Sequence, residues 1–271
     1  MSATIETPVE SDNSGGKTPL IELKNVGKSY GNIIALGGIN LRVGAGEVTG
    51  VLGDNGAGKS TLIKIMAGLH QQTEGELLVD GKAVKFGSPK DALDKGIATV
   101  YQDLAVVSLM PVWRNFFLGQ ELRKKGVLKT LDAAAMRATT KEELHKMGID
   151  LPDVDAPIGS LSGGQRQCVA IARAIFFGAR VLILDEPTAA LGVKQSGMVL
   201  RYISAAKEQG FGVVFITHNP HHAYMVGDHF VLLNRGRQKL DCSYDEISLD
   251  DLTKEMAGGD ELETLTHELR R

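Results

Sequence analysis

The chain has 271 residues, 43% of them hydrophobic and 23% charged, a formal net charge of −3 and two cysteines. That length suits one catalytic unit with subdomains, and the near-neutral balance supplies no basic field to gather nucleic acid. No run approaches the roughly 18 uninterrupted apolar residues of a membrane span, so the chain is expected to stay in the cytoplasm and to meet a membrane only through another protein.

Residues 1–18, rich in Ser, Gly, Thr and acids, are expected to be a disordered leader, because nothing in them offsets the cost of ordering. IELKNVGKSY (21–30), a Gly31-Asn32 turn and IIALGGINLRV (33–43) alternate as paired antiparallel strands do. An apolar strand over 47–52 runs into a glycine loop and then KSTLIKIMAGL, where Leu62, Ile63, Met66 and Leu69 share one helical face. ELLVDGKAV reads as a second hairpin, with Asp80-Gly81 suited to a tight primed turn. Ser88-Pro89 opens a short helix that stops before Gly96, and 97–101 is the next strand. From about 103 to 178 the pattern is helical without a clear strand, as in an inserted helical subdomain. VLILD (181–185) and VVFIT (213–217) are the all-apolar runs of parallel strands buried on both faces, with a helix over 193–208 between them. FVLLNRG and QKLDCS form a last hairpin candidate, and 258–271 is a charged tail. Cys168 and Cys242 stand far apart with no metal-ligand spacing, so they read as buried or idle thiols in a reducing compartment.

Three motifs carry chemistry. Gly53, Asp54, Asn55, Gly56, Ala57, Gly58, Lys59 and Ser60, followed by Thr61, have phosphate-loop spacing on a strand-to-helix junction. Glycines let backbone N–H groups approach phosphate, Lys59 reaches the β and γ phosphates, and Ser60 coordinates Mg²⁺. The strand VLILD ends in Asp185 and Glu186, which places one carboxylate near the metal and the other where it activates or positions water. An acid at a strand end also serves merely as a helix cap, so this pair is informative only beside the phosphate loop. Third, Leu161, Ser162, Gly163, Gly164 and Gln165 open a helix with a Ser cap and two glycines, an arrangement whose free N–H groups and dipole suit an anion. The predicted fold is therefore α/β, a P-loop NTPase (RecA-like) core sheet with an antiparallel β subdomain and an inserted helical subdomain, spanning 19–257.

Leu-Ser-Gly-Gly-Gln followed by RQCVAIARA resembles the signature motif of ATP-binding cassette (ABC) proteins, in the order phosphate loop, signature, acidic strand. The resemblance covers nearly all of 21–256. It implies ATP as ligand with Mg²⁺, and a head-to-tail dimer in which Leu161, Ser162, Gly163, Gly164 and Gln165 face the γ-phosphate bound by the partner copy. Tyr30 resembles the aromatic residue that stacks on adenine. Gln102 resembles the glutamine that touches Mg²⁺ with Ser60 and Asp185 and links the sheet to the helical insertion. His218, after VVFIT, resembles the switch histidine, and with Lys59, Gln102 and Glu186 completes the implied catalytic set; His221 and His222 have no such support and read as surface residues. One position departs: AALG at 189–192 puts Gly192 where the family usually has an Asp that reaches the partner subunit.

GIATVYQDLAVVSLMPVWRNFFLGQE is similar to bacterial monosaccharide importers of the ribose, xylose and fructose kind, and the single cassette resembles the shorter fructose-type members. That implies ATP hydrolysis powering sugar import from the cytoplasmic face of the inner membrane, with two integral permease subunits and, indirectly, an extracytoplasmic sugar-binding protein as partners. Met110, Val112, Trp113, Phe116 and Phe117 are either an apolar docking surface for the permease or core of the helical insertion. Soluble cassette ATPases that act on ribosomes or DNA share the nucleotide motifs, but usually carry two cassettes or a long coiled-coil insertion, and neither is present. Kinases and small GTP-binding switches lack the Leu-Ser-Gly-Gly-Gln segment.

Overall fold

The computed structural model describes residues 18–126 and 129–258. All of the expected leader but Thr18, and all of the expected tail but Gly258, lie outside the described residues. In chain order the elements are β1 (Ile21–Tyr30), β2 (Ile33–Val43), β3 (Val48–Leu52), α1 (Lys59–Met66), β4 (Glu74–Val79), β5 (Lys82–Val84), α2 (Pro89–Asp94), β6 (Ile97–Val100), α3 (Val112–Phe116), α4 (Ala133–Lys146), α5 (Gly163–Phe176), β7 (Val181–Asp185), α6 (Val193–Glu208), β8 (Gly212–Thr217), α7 (Pro220–Val226), β9 (His229–Asn234), β10 (Arg237–Ser243) and α8 (Leu249–Met256).

The local signals explain most boundaries. Asp80 and Gly81, at φ 50° and 72°, make the β4–β5 turn. Ser88 and Asp91 form a reciprocal capping box with Pro89 just inside α2. Leu69 departs from its expected place on the apolar face of α1. The helix ends at Met66, and the Gly68 and Leu69 N–H groups turn back to the Ile65 and Lys64 carbonyls at 3.1 and 2.8 Å. This Schellman closure leaves Leu69 46% exposed.

The strands form one ten-stranded sheet in the order β5-β4-β1-β2-β10-β9-β3-β8-β7-β6. The segment β9-β3-β8-β7-β6 is parallel, whereas β5-β4-β1-β2 is antiparallel. β10 joins the two, pairing antiparallel with β9 and meeting β2 at Arg237↔Gly37. Side chains alternate between faces. Leu182, Leu184, Val213, Phe215, Phe230 and Leu232 pack with Phe116, Phe117, Cys168 and Val199 of the helices on one side. Val181, Ile183, Val214, Ile216, Val231 and Leu233 pack with Leu62, Ile63 and Met66 of α1 on the other. Both faces are thus covered, which is why these strands read as unbroken apolar runs.

The open question about the aromatic segment is decided by burial. Val112, Trp113, Phe116 and Phe117 are 0–6% exposed and Met110 is half-buried, and the two phenylalanines pack against Phe176 and Phe177 with ring centroids 5.5–6.2 Å apart. They hold α3 onto α5, each side chain contributing about 1.5–3 kcal/mol by its burial.

The topology fixes what matters most for a site. β3, β8, β7 and β6 are parallel neighbours, with Leu52↔Thr217, Asp185↔Ile216 and Val100↔Leu184 in register. Their carboxyl ends therefore lie side by side, and the loops leaving them carry the phosphate loop, His218, Asp185-Glu186 and Gln102. This edge of an open α/β sheet is where ligands bind.

Candidate functional site

The phosphate loop is braced from below by β9 and β10. Gly53 sits at φ 148°, and a Cβ there would lie 2.5 Å from the Leu233 carbonyl oxygen and 2.9 Å from the Ala57 Cβ, so only glycine fits. The Gly236 N–H, in the β9–β10 turn, donates to the Ala57 carbonyl at 2.9 Å. Gly58 is the N-cap of α1 and offers no side-chain acceptor, leaving the first turn aimed at the loop. A helix N-terminus of this kind favours an anion through its N–H groups and dipole. Asp54, Asn55 and Gly56 at the crest are exposed, and Ser60 and Thr61 follow in the first turn of α1.

Lys59 is only 8% exposed. Its ammonium donates to the carbonyl oxygens of Gly53 and, at 3.2 Å, of Asp54, and lies 3.7 Å from Glu186 Oε1. Glu186 Oε2 is 2.9 Å from His218 Nδ1. The structure thus joins three of the predicted residues, from three strand ends, into one chain, Lys59–Glu186–His218. Glu186 is 9% exposed and has φ 47°, a left-handed conformation rare outside glycine, and its N–H donates to the Ile216 carbonyl at 2.9 Å. Strain of this kind at a buried acid is a mark of functional sites. Next to it, burial and the charge of Glu186 raise the Asp185 carboxyl above the usual range, with Lys59 acting in the opposite sense.

A cavity of about 630 Å³ lies before Glu186, walled by Gln102, Gly163, Gln167, Ala190 and Gln195 among others. Gln102 is exposed at the end of β6, so the cavity gathers it with Glu186 and the start of α5. At that start, Ser162 Oγ accepts from the Gln165 N–H at 3.3 Å while Gln165 Oε1 accepts from the Ser162 N–H at 2.9 Å. Leu161 is held by Arg166, which donates to its carbonyl at 2.7 Å. The two glycines also serve packing, since a Cβ on Gly163 would lie 2.6 Å from Leu191 Cδ2 and one on Gly164 would lie 3.0 Å from Gln195 Cβ. The ring contacts of Tyr30 are away from this chain: His70 lies at 5.7 Å and Lys28 at 5.1 Å. Gly192 caps α6 by backbone alone, with open space where a side chain would project.

Some functional neighbours escaped sequence reading. His222 is half-buried, not a surface residue, because its Nδ1, in the first turn of α7, meets Thr188 Oγ1 of the segment after β7 at 2.9 Å. Burial lowers its pKa from the ordinary histidine value. Gln167 is 4% exposed and its Nε2 has no hydrogen-bond partner among the described residues. A buried donor without an acceptor costs about 1–3 kcal/mol, so Gln167→Met is expected to leave the melting temperature unchanged or raise it. A fall of several degrees in a thermal melt would show that the amide is satisfied in solution. Neither residue carries a sequence signal beyond its polarity.

The ABC transporter family profile matches residues 36–189, more than half of the chain, and includes the phosphate loop, the Ser162 helix start and the Asp185-Glu186 strand end. The chain belongs to the ABC transporter family. This cassette is 42% identical over 237 residues to the xylose/arabinose import ATP-binding protein XylG of Sulfolobus acidocaldarius, covering 88% of the chain and 93% of the relative. It is 39% identical over 248 residues to the fructose import ATP-binding protein FrcA of Rhizobium meliloti, covering 90% and 95% respectively. Among solved structures it is similar to a dimeric ABC cassette in a post-hydrolysis state bound to ADP and Pi, with 28% identity and TM-score 0.68 over 83% of the chain and 98% of that one. Among the described residues no helix of the cassette is long and apolar enough to cross a membrane.

Proposed function

We propose that the chain is the ATP-hydrolysing subunit of an ABC importer for monosaccharides, working as a head-to-tail dimer on two permease subunits at the cytoplasmic face of the membrane. The observation that carries hydrolysis is the Lys59–Glu186–His218 chain on the carboxyl edge of the parallel strands. The sugar cargo rests on the names of the relatives, whose matches cover 88% and 90% of the chain.

The residues divide the work as follows. The backbone of Gly53, Asp54, Asn55, Gly56, Ala57 and Gly58 wraps the phosphates, with Ser60 and Thr61 in the first turn of α1. Phosphate oxygens take the Lys59 ammonium over from the Gly53 and Asp54 carbonyls and from Glu186. Glu186, released on that side and still oriented by His218, accepts a proton from the attacking water. Tyr30 stacks on adenine. Leu161, Ser162, Gly163, Gly164 and Gln165 of one copy meet the γ-phosphate held by the other, which makes ATP part of the interface. Ser60, Gln102 and Asp185 supply oxygen donors only, the set that suits Mg²⁺. A cation there would also offset the repulsion between Asp185 and Glu186, which Lys59 only partly counters. Mg²⁺ would shield the phosphate charge. With glycine at 192, coupling between the copies falls to the backbone of 189–192 and to Val193, which is 91% exposed.

The closing motion would press the helices of 103–178 on the permease. The exposed Leu109, 90% accessible before α3, suits that contact better than the buried Trp113 and Phe117. An external binding protein would deliver the sugar. The test is growth on single pentoses and hexoses with Lys59→Ala in the chromosomal copy. Loss of growth on one sugar is the expected result, whereas unchanged growth on all, with ATPase activity abolished in the purified variant, would separate the ATPase from sugar uptake.

A further inference from the structure

Tyr30 ends β1 with its side chain on the surface, 43% exposed, where a lone ring would sample several orientations. Two neighbours restrict it. The His70 ring stands at 78° to it with centroids 5.7 Å apart, inside the range of a favourable edge-to-face pair. The Lys28 ammonium lies 5.1 Å from the ring centroid, within cation–π reach, and is itself fixed by donating to the Gln71 carbonyl at 2.7 Å.

These contacts belong to a longer seam. The segment that leaves α1 is tied to the end of β1 by the Thr73 N–H to the Gly27 carbonyl at 2.8 Å and by the Ser29 N–H to Thr73 Oγ1 at 3.1 Å. Thr73 Oγ1 also donates to the Gly27 carbonyl at 3.2 Å, and the Gln71 amide to the Phe86 carbonyl at 3.1 Å. The opposite end of α1 is the phosphate loop. α1 therefore acts as a strut: phosphates bind at its N-terminus, and its C-terminal exit grips the strand that carries Tyr30.

We propose that His70 and Lys28 are positioning residues for nucleotide binding, which hold the Tyr30 ring in the orientation that a purine base stacks on and fix its distance from the phosphate loop through the 70–73 seam. The proposal rests on the reading of Tyr30 as the base platform. Holding the ring before the base arrives removes part of the ordering cost from binding.

The two contacts affect only ligands that carry a base, and this gives the test. Dissociation constants of the full-length protein for ATP and for inorganic triphosphate are measured by calorimetry for the wild type, Tyr30→Ala, His70→Leu, His70→Phe, Lys28→Met and the Tyr30→Ala/His70→Leu double variant, with melting temperatures as the check on folding. His70→Leu and Lys28→Met are expected to weaken ATP about two- to tenfold, the scale of one aromatic or cation–π contact, and to leave triphosphate unchanged. His70→Phe restores ATP binding, and His70→Leu adds nothing in the Tyr30→Ala background. If Tyr30→Ala weakens ATP while His70→Leu and Lys28→Met bind it as the wild type does, the positioning role is wrong and the platform stands. Equal weakening of ATP and triphosphate also overturns it, because the seam would then act on the phosphate loop. If Tyr30→Ala itself binds ATP normally, the platform reading fails and takes this inference with it.

Discussion

Glu186→Gln is expected to bind ATP at least as tightly as the wild type and to hydrolyse it about 10²- to 10⁴-fold more slowly, the usual loss when a proton-transfer group is removed. The geometry explains why binding and turnover should separate. An amide of the same shape keeps the 2.9 Å contact with His218 and so keeps the loop in place. It also removes the negative charge 3.7 Å from the Lys59 ammonium, so Lys59 passes more readily to phosphate oxygens. What the amide does not do is accept a proton from water. Single-turnover phosphate release beside an equilibrium ATP titration distinguishes the steps. Near-normal turnover would remove Glu186 from its role, and a large loss of affinity would mean that the carboxylate chiefly shapes the phosphate loop.

Gly53→Ala is expected to lose both stability and nucleotide binding. A left-handed φ of 148° costs a residue with a Cβ about 1–3 kcal/mol, and the added carbon would lie 2.5 Å from the Leu233 carbonyl oxygen. That oxygen belongs to β9, which is paired on both sides, so the loop and not the strand must yield. Since each kcal/mol moves the midpoint of a chain this size by about 2–4 °C, the melting temperature should fall by about 5–10 °C. The shifted loop also carries the Gly53 carbonyl that holds Lys59. Gly56→Ala is the matched control: φ there is 84° but no atom of the described residues lies within 4 Å of the added carbon, so only the conformational cost remains. Equal effects in the two variants would show that contact with β9 is not what fixes the loop.

By itself the sequence determined the elements and the chemistry that is local. Phosphate-loop spacing, the Ser162 cap with Gln165 three residues on, the Asp80-Gly81 turn and the all-apolar runs of β7 and β8 each act within a few residues, so backbone conformation and patterning reveal them without knowledge of the fold. The same holds for the membership of Lys59, Asp185, Glu186 and His218 in one motif series. Tertiary structure decided the rest. Burial assigned Trp113, Phe116 and Phe117 to the core of the helical insertion, since helical spacing is the same for a core face and a docking face. It set Leu69 outside α1, took His222 off the surface, left the Gln167 amide without an acceptor and joined the antiparallel strands to the parallel ones through β10. Above all it brought Lys59 to Glu186, 127 residues along the chain, and His218 to Glu186. A hydrogen bond between strand ends depends on the order of β3, β8 and β7 in the sheet, and that order is set by packing on both faces of the sheet rather than by any residue next to the bond.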